Sequence, residues 1–294
     1  MHIKALCRLI RPQQWIKNGF VFLPIFFGRS LFDAHIWAYA IIAFIAFCGI
    51  SSAVYCMNDI RDVASDRRHP RKCRRPIASG LISVNQAWIT FVILVCISFA
   101  LSVLCLNPTS GMYVSLILLT YLILNVAYSS GLKKVSILNV FIISLGFVLR
   151  LVAGGVAENI KLTPWIVMMT FLLTLFLAFA KRRDDVIMLE KHGRLMRASI
   201  KNYNIQYMDA TLGILASVTI VCYIMFCVSP EVVERIGNEY VYISSIFVIA
   251  GILRFLQIAI VKKDCGSPTD IIIHDKFMLC CITLWIVFFF LILY

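Results

Sequence analysis

Residues 35–66 read HIWAYAIIAFIAFCGISSAVYCMNDIRDVASD. The first part, residues 35–57, holds no Asp, Glu, Lys or Arg. A helix crosses a bilayer with roughly 17–25 mostly apolar residues, so this stretch is long enough to span. The chain then turns acidic at once, with Asn58, Asp59, Asp62 and Asp66. A spanning helix that runs directly into carboxylates points to an all-α membrane protein that keeps its chemistry at one membrane surface.

The same apolar signature recurs at about 84–106, 112–128, 135–157, 164–180, 208–228, 240–261 and 276–294, with a shorter stretch at about 15–28 containing Gly19 and Pro24. The expectation is nine transmembrane helices in a single domain over residues 1–294. Bulk composition agrees. The chain is 61% hydrophobic and 15% charged, with a mean hydropathy of +0.89; soluble domains sit nearer 45–50% apolar and about 25% charged. The 11 cysteines form no CxxC pair, and most fall in apolar stretches, which suits small buried hydrophobes better than a disulfide or metal framework. The N-terminus, MHIKALCRLIRPQQ, lacks the apolar core and small-residue cleavage site of a removable signal peptide.

Net charge is +13. In a soluble chain that excess would suggest nucleic acid; between membrane spans it fits anionic headgroups or a phosphorylated substrate, and no nucleic-acid partner is expected. With nine spans, 23 of the 28 Lys and Arg residues fall on one side and three on the other. The positive-inside rule then puts the N-terminus in the cytoplasm and the C-terminus outside. Eight spans would place the N-terminal basic cluster on the wrong side. The loops long enough to hold chemistry, about 58–83, 129–134 and 181–207, all become cytoplasmic.

Loop 58–80 reads NDIRDVASDRRHPRKCRRPIASG. If the span continues as a helix, Asp59, Asp62 and Asp66 share roughly one face as like-charged neighbours. Each pair costs an isolated helix about 0.2–0.5 kcal/mol, so a compensating cation is expected. Oxygen-only ligands select a hard ion, Mg2+ with Mn2+ as the alternative. The competing reading is a solvated helix end whose acids pair with Arg61, Arg67 and Arg68. Pro70 and Pro76 turn the basic segment into a loop.

The second constellation, KRRDDVIMLEKHGRLMRASIKNY at 181–203, sets Lys181 and Asp185 at i, i+4, with Asp184 adjacent and Arg182, Arg194, Arg197 and Lys201 adding charge. It reads either as a polybasic segment on anionic lipid or, with the first motif, as half of a shared polyphosphate site. Arg150, deep in its span, is expected to pair structurally, with Glu158 as one partner, to line a cavity or to snorkel.

These residues resemble a known family. NDxxDxxxD at the end of a span, followed by an acidic and basic loop four spans later, is similar to the UbiA-type intramembrane prenyltransferase superfamily. That resemblance implies nine helices around a central cavity opening to the cytoplasmic face, with two Asp-rich motifs holding Mg2+ and a diphosphate. The usual second motif is DxxxD; here Lys181 replaces its first carboxylate. RPQQWIKN (11–18), the loop 58–80, YSSGLKK (128–134), GFVLRLVAGGVA (146–157) and KRRDD (181–185) resemble the decaprenyl-phosphate phosphoribosyltransferase subgroup. The likeness covers about residues 8–205, and Asn139 departs from it, standing where an acidic residue is expected.

The subgroup resemblance implies transfer of 5-phosphoribose from phosphoribosyl diphosphate to a polyprenyl phosphate. Diphosphate leaves, and the product feeds a lipid-linked pentofuranose donor for cell-envelope polysaccharide at the bacterial inner membrane. It leaves room for a homo-oligomer. In that reaction Asp59, Asp62 and Asp66 are expected to hold the metal, with Asn58 as a further ligand or sugar-orienting group. Lys72 and Arg75 clamp phosphate oxygens. Lys181 and Arg182 hold the lipid phosphate or the ribose 5-phosphate, and Asp185 supports the metal or orients Lys181. Tyr128 and Lys133 complete the wall. Lys17, with Arg11 and Trp15, captures the lipid phosphate at the interface, and His69 contacts phosphate or shapes its loop. Two other functions compete: a prenyltransferase joining a prenyl diphosphate to an aromatic or quinone-type acceptor, and a transporter with no chemistry. Lys181 argues against the first, and the lack of intramembrane acids against the second.

Overall fold

The computed structural model of the chain describes residues 3–68, 72–192, 198–262, 271 and 274–293. Every regular element among them is helical. The long apolar stretches become α3 (Ala34–Arg61), α5 (Val84–Cys105), α6 (Pro108–Ser130), α7 (Leu138–Ala157), α8 (Pro164–His192) and α9 (Ile205–Val228). A composite segment, Glu239–Val261, contains α11 (Ser245–Gln257), and the last long helix is α12 (Lys276–Leu293). Among the described residues these 8 are long and apolar enough to cross a membrane. Short helices α1 (Ile3–Ile10), α2 (Leu23–Phe27), α4 (Val63–Arg67) and α10 (Pro230–Ile236) complete the set.

The stretch expected as a ninth span is built differently. Pro12–Phe22 forms a 3-10 helix of 11 residues, continued by α2. A 3-10 helix rises about 2 Å per residue and an α-helix 1.5 Å, so the 16 residues together reach roughly 30 Å. That is about the thickness of a hydrocarbon core, but Gln13, Gln14, Lys17 and Asn18 lie in its first half, and the segment is not one of the 8 long apolar helices found among the described residues.

The chain divides into two compact units, residues 1–130 with 149–161, and residues 131–148 with 162–294. In the first, α3 is the enclosed element: 67% of its apolar window is buried, against 11% for α5. Phe47, Ile50, Val54, Leu118 and Ala153 form the core around it, while Ile89, Val92 and Ile93 of α5 face outward, as side chains in contact with lipid do. Small residues set the close approaches. A Cβ on Gly154 would lie 2.0 Å from the carbonyl oxygen of Val21, so only glycine admits the 3-10 segment against α7.

Arg150 locks that contact. Its Nε donates to Asn18 Oδ1 at 2.7 Å and its Nη2 to the Tyr121 hydroxyl at 2.9 Å, with the guanidinium 4.8 Å from the Tyr121 ring centroid. Asn18, fully buried, passes the chain on to Cys48 Sγ and Ser51 Oγ. The role is structural, as expected, but the partners are Asn18 and Tyr121 rather than Glu158. The Glu158 carboxylate is buried, and neither of its oxygens has a hydrogen-bond partner.

In the second unit α8 and α9 pack through Leu172, Phe176, Phe179, Leu212 and Leu215, and Phe176 meets Phe255 of α11 at 5.2 Å between centroids. Buried Arg183 stitches the polar end: Nε donates to Asp209 at 2.5 Å and Nη1 to the carbonyl of Ala259 at 2.7 Å. That carbonyl belongs to a π-helical turn, Ile258–Lys262, whose widened ladder suits a side-chain donor. Asp275 caps α12 through the Met278 amide and grips Arg254.

Burial pushes the Glu158 carboxyl up to about 8 from an ordinary 4.5. The folded chain therefore keeps a proton that the unfolded chain releases, and stability falls as pH rises from about 4.5 to about 8. Glu158→Gln has no such proton to lose. Thermal denaturation in detergent should show the wild type losing stability between pH 5 and pH 8 and the variant losing less, with near-equal behaviour at the acid end.

Candidate active site

The first acidic motif lies where α3 stops. The helix ends at Arg61, Asp62 adopts φ −90° and ψ 2°, and α4 restarts the chain at Val63. Helical amide bonds still cross this point, from Asp62 N to Asn58 O at 2.9 Å and from Asp66 N to Asp62 O at 2.8 Å, so the acids stay on successive turns. Asp59 and Asp66 are both 2% exposed, whereas Asp62 is only half-buried.

Two arginines converge on the buried pair. Arg75 Nη1 donates to Asp59 Oδ1 at 3.0 Å and to Asp66 Oδ2 at 2.7 Å, so one nitrogen bridges both acids. Arg11 forms a further ion pair with the same Asp59 Oδ1. Asp59 Oδ2 is buried and has no hydrogen-bond partner. The loop that carries Arg75 is folded. The Arg75 amide donates to Lys72 O, closing a 3-10 turn, and Ile77 and Ile82 anchor the following residues in a small core with Leu9 and Cys56.

Arg11 reaches the motif because α1 and the 3-10 segment dock on α3. Trp15 Nε1 donates to Ser52 Oγ at 3.0 Å, and Ser52 Oγ donates to Ile10 O at 2.9 Å. Arg11 ends α1 in the left-handed region, φ 52° and ψ 63°, with its guanidinium 5.1 Å from the Tyr55 ring centroid. Asn58 is fixed from another side, its Oδ1 accepting from Ser129 Oγ of the YSSG turn. Arg61 donates to Val126 O and Ser130 Oγ. The two buried acids, Asp59 and Asp66, are thus held by Arg11 and Arg75, while Arg61 turns to the end of α6.

These donors suit a hard cation. Among the described residues no three His, Cys, Asp or Glu side chains are gathered as a ready-made metal cage. Mg2+ rarely needs one, since it keeps waters and takes one or two carboxylates plus substrate phosphates. An oxygen-only donor set with a buried, unpartnered Asp59 Oδ2 fits that description.

In the second unit Asp185 pairs with Arg182, at 3.3 Å and three residues apart, while Lys181, expected as its partner, is exposed. Arg182 is 3% exposed. Lys133, half-buried, sits on a loop tied to residues 198–203: Ser136 Oγ donates to Ser199 O, and the Ile137 amide donates to the Tyr203 hydroxyl at 2.6 Å. Burial pushes the Tyr203 phenol up, partly offset by that amide. Asn139 is fully buried with neither amide atom hydrogen-bonded. Tyr128 is half-buried in the first unit, and Lys17 is exposed. His69, Arg71, Arg194 and Arg197 lie outside the described residues.

Sequence reasoning missed the Arg11–Asp59 pair and the Ser129–Asn58 bond. Both span far more of the chain than any local spacing covers, although RPQQW and YSSG had each stood out as motifs.

The UbiA prenyltransferase family model matches residues 21–268. Decaprenyl-phosphate phosphoribosyltransferase from Corynebacterium glutamicum is 30% identical over 96% of this chain and 84% of its own. The Mycobacterium tuberculosis enzyme of the same name is 30% identical over 97% of this chain and 92% of its own. Among solved structures, a UbiA homolog from Archaeoglobus fulgidus bound to DMAPP and Mg2+ superposes with a TM-score of 0.72 at 20% identity, over 98% of this chain and 99% of that one.

Removing Arg75 takes the arginine partner from buried Asp66 and leaves buried Asp59 with Arg11 alone. Arg75→Met should cost about 2–3 kcal/mol of stability, reduced from the fully buried case because the side chain is partly exposed. Arg61→Met should stay within about 0.5 kcal/mol. Paired denaturant titrations in detergent without divalent ions read the difference.

Proposed function

Because this chain belongs to the UbiA prenyltransferase family, we propose that it is a Mg2+-dependent membrane transferase. It moves 5-phosphoribose from phosphoribosyl diphosphate to the phosphate of a polyprenyl carrier, with diphosphate leaving. Its near-full-length likeness to two enzymes named for decaprenyl-phosphate phosphoribosyl transfer supports this reading.

The carrying observation is the unequal make-up of the two motifs. The first keeps two buried carboxylates and an open oxygen. The second has lost its first carboxylate to Lys181, and its surviving Asp185 is occupied by Arg182. A prenyl diphosphate and an aromatic acceptor bring one diphosphate. A phosphoribosyl donor and a lipid phosphate bring two more phosphate groups, and cationic side chains in place of carboxylates suit that added charge.

Asp59, Asp62 and Asp66 would hold Mg2+, or Mn2+ in its place. The ion supplies charge neutralisation to the departing diphosphate. Arg75 and Lys72 clamp phosphate oxygens, the guanidinium by its fork geometry. Asn58, its carbonyl oxygen fixed by Ser129, keeps its amide N–H groups for the sugar. Asp185 orients Arg182, and Arg182 with Lys181 receives a phosphate. Lys133 and Tyr128 complete the polar walls of their own units, and Lys17 meets the lipid headgroup. The acceptor phosphate is already ionised at neutral pH, so no general base is needed. The product suits a lipid-linked pentofuranose donor for envelope polysaccharide, made on the cytoplasmic face of a bacterial inner membrane.

Purified protein with Mg2+, polyprenyl phosphate and ribose-labelled phosphoribosyl diphosphate should pass label to the organic phase, and EDTA should abolish it. Asp59→Ala should lower the rate by about 100-fold or more. Label that stays in water while a prenyl diphosphate is consumed would favour the aromatic prenyltransferase.

A further inference from the structure

We propose that Arg11 is a diphosphate-binding residue held in reserve: it occupies Asp59 until a metal ion takes that carboxylate, and its guanidinium then passes to the diphosphate the metal carries. The inference rests on Asp59 being a metal ligand.

Three observations lead to it. First, Arg11 and Arg75 both address Asp59 Oδ1, leaving Oδ2 buried and without a partner. Two cations on one oxygen beside an empty one is an odd way to satisfy a carboxylate. It is the arrangement expected when one cation stands in for a ligand. Second, Arg11 holds a left-handed backbone conformation that a non-glycine residue rarely adopts. Such a conformation persists where its surroundings enforce it and is a pointer to function. Here Trp15 and Ile10 fix the backbone on Ser52, so Arg11 cannot leave as a segment; only its side chain can move. Third, that side chain is 27% exposed, and its guanidinium lies over the Tyr55 ring, which keeps a contact available while its hydrogen-bonding edge changes partner.

The electrostatics give the direction. A dication on Asp59 neutralises the charge that attracts Arg11 and adds a repulsion of its own. The nearest relief is the anion that arrives with the metal, and a guanidinium binds phosphate oxygens in the same forked fashion as carboxylate. Arg11 therefore competes with free metal yet assists metal with diphosphate.

The test has two arms on the full chain in detergent: Mn2+ alone, read by loss of the free-ion electron paramagnetic resonance signal, and radiolabelled inorganic diphosphate with saturating Mn2+, read by label retained on the protein. Arg11→Met should bind Mn2+ alone about threefold more tightly or better, because a competing cation is gone. It should bind diphosphate in the presence of Mn2+ about tenfold more weakly. Weaker binding in both arms would make Arg11 a mere prop for Asp59, tighter binding in both would make it only a competitor, and no change in either would make it a packing contact; each overturns the proposal. If Arg11→Met fails to fold, Arg11→Lys carries the test, with metal binding near wild type and diphosphate binding weakened. A wild type that binds no Mn2+ removes the metal reading and this inference together. Phosphoribosyl transfer is scored separately, because neither probe contains ribose or lipid.

Discussion

The buried carboxylate of Asp59 is the constraint around which the first unit is organised. A charge 2% exposed must be paired, because an isolated ionised group in a low-dielectric interior is too costly to keep. The chain meets that demand with arginines from two remote places, one before the first long helix and one after it. Each then needs its own support. Arg11 depends on α1 and on the Trp15–Ser52–Ile10 contacts, and Arg75 on a turn pinned by Ile77 and Ile82. The acidic cluster at the end of α3 is therefore the point where the N-terminal segment, α3 and the basic loop are joined.

A second buried charge does the corresponding work deeper in the same unit. Arg150 is expensive within a membrane span, and it is repaid by Asn18, Tyr121 and two aromatic faces. Together with the close approach at Gly154, it holds the 3-10 segment against α7. That segment begins one residue after Arg11, so the packing that fixes its path also sets where the Arg11 backbone lies.

Much of this was legible from the sequence. Uninterrupted apolar stretches gave the long helices, because length and hydropathy alone decide whether a segment can span. The acidic and basic motifs were legible because broken local rules stand out: repeated carboxylates at a helix end, and a lysine where a carboxylate belongs. What stayed hidden depended on tertiary geometry. Nothing in the spacing of Pro12–Phe22 says that it winds as a 3-10 helix. Arg61 looked like a partner for the acids by proximity, but its partners are Val126 and Ser130. Lys181 and Asp185 have ideal helical spacing, yet buried Arg182 takes the carboxylate, since a buried cation needs an anion more than an exposed one does. Arg150 was recognisable as structural, and only the fold could name Asn18 as its partner.

In the proposed reaction Asp59 is a metal ligand, and its arginine partners yield to a metal–diphosphate complex. The most direct measurement is a structure determined in lipid with Mg2+ and phosphoribosyl diphosphate. The ion should lie within about 2.0–2.1 Å of an Asp59 carboxylate oxygen, with Arg11 off that carboxylate. A structure in which the donor is bound, the ion lies away from Asp59 and the Arg11 and Arg75 ion pairs remain intact would contradict this reading.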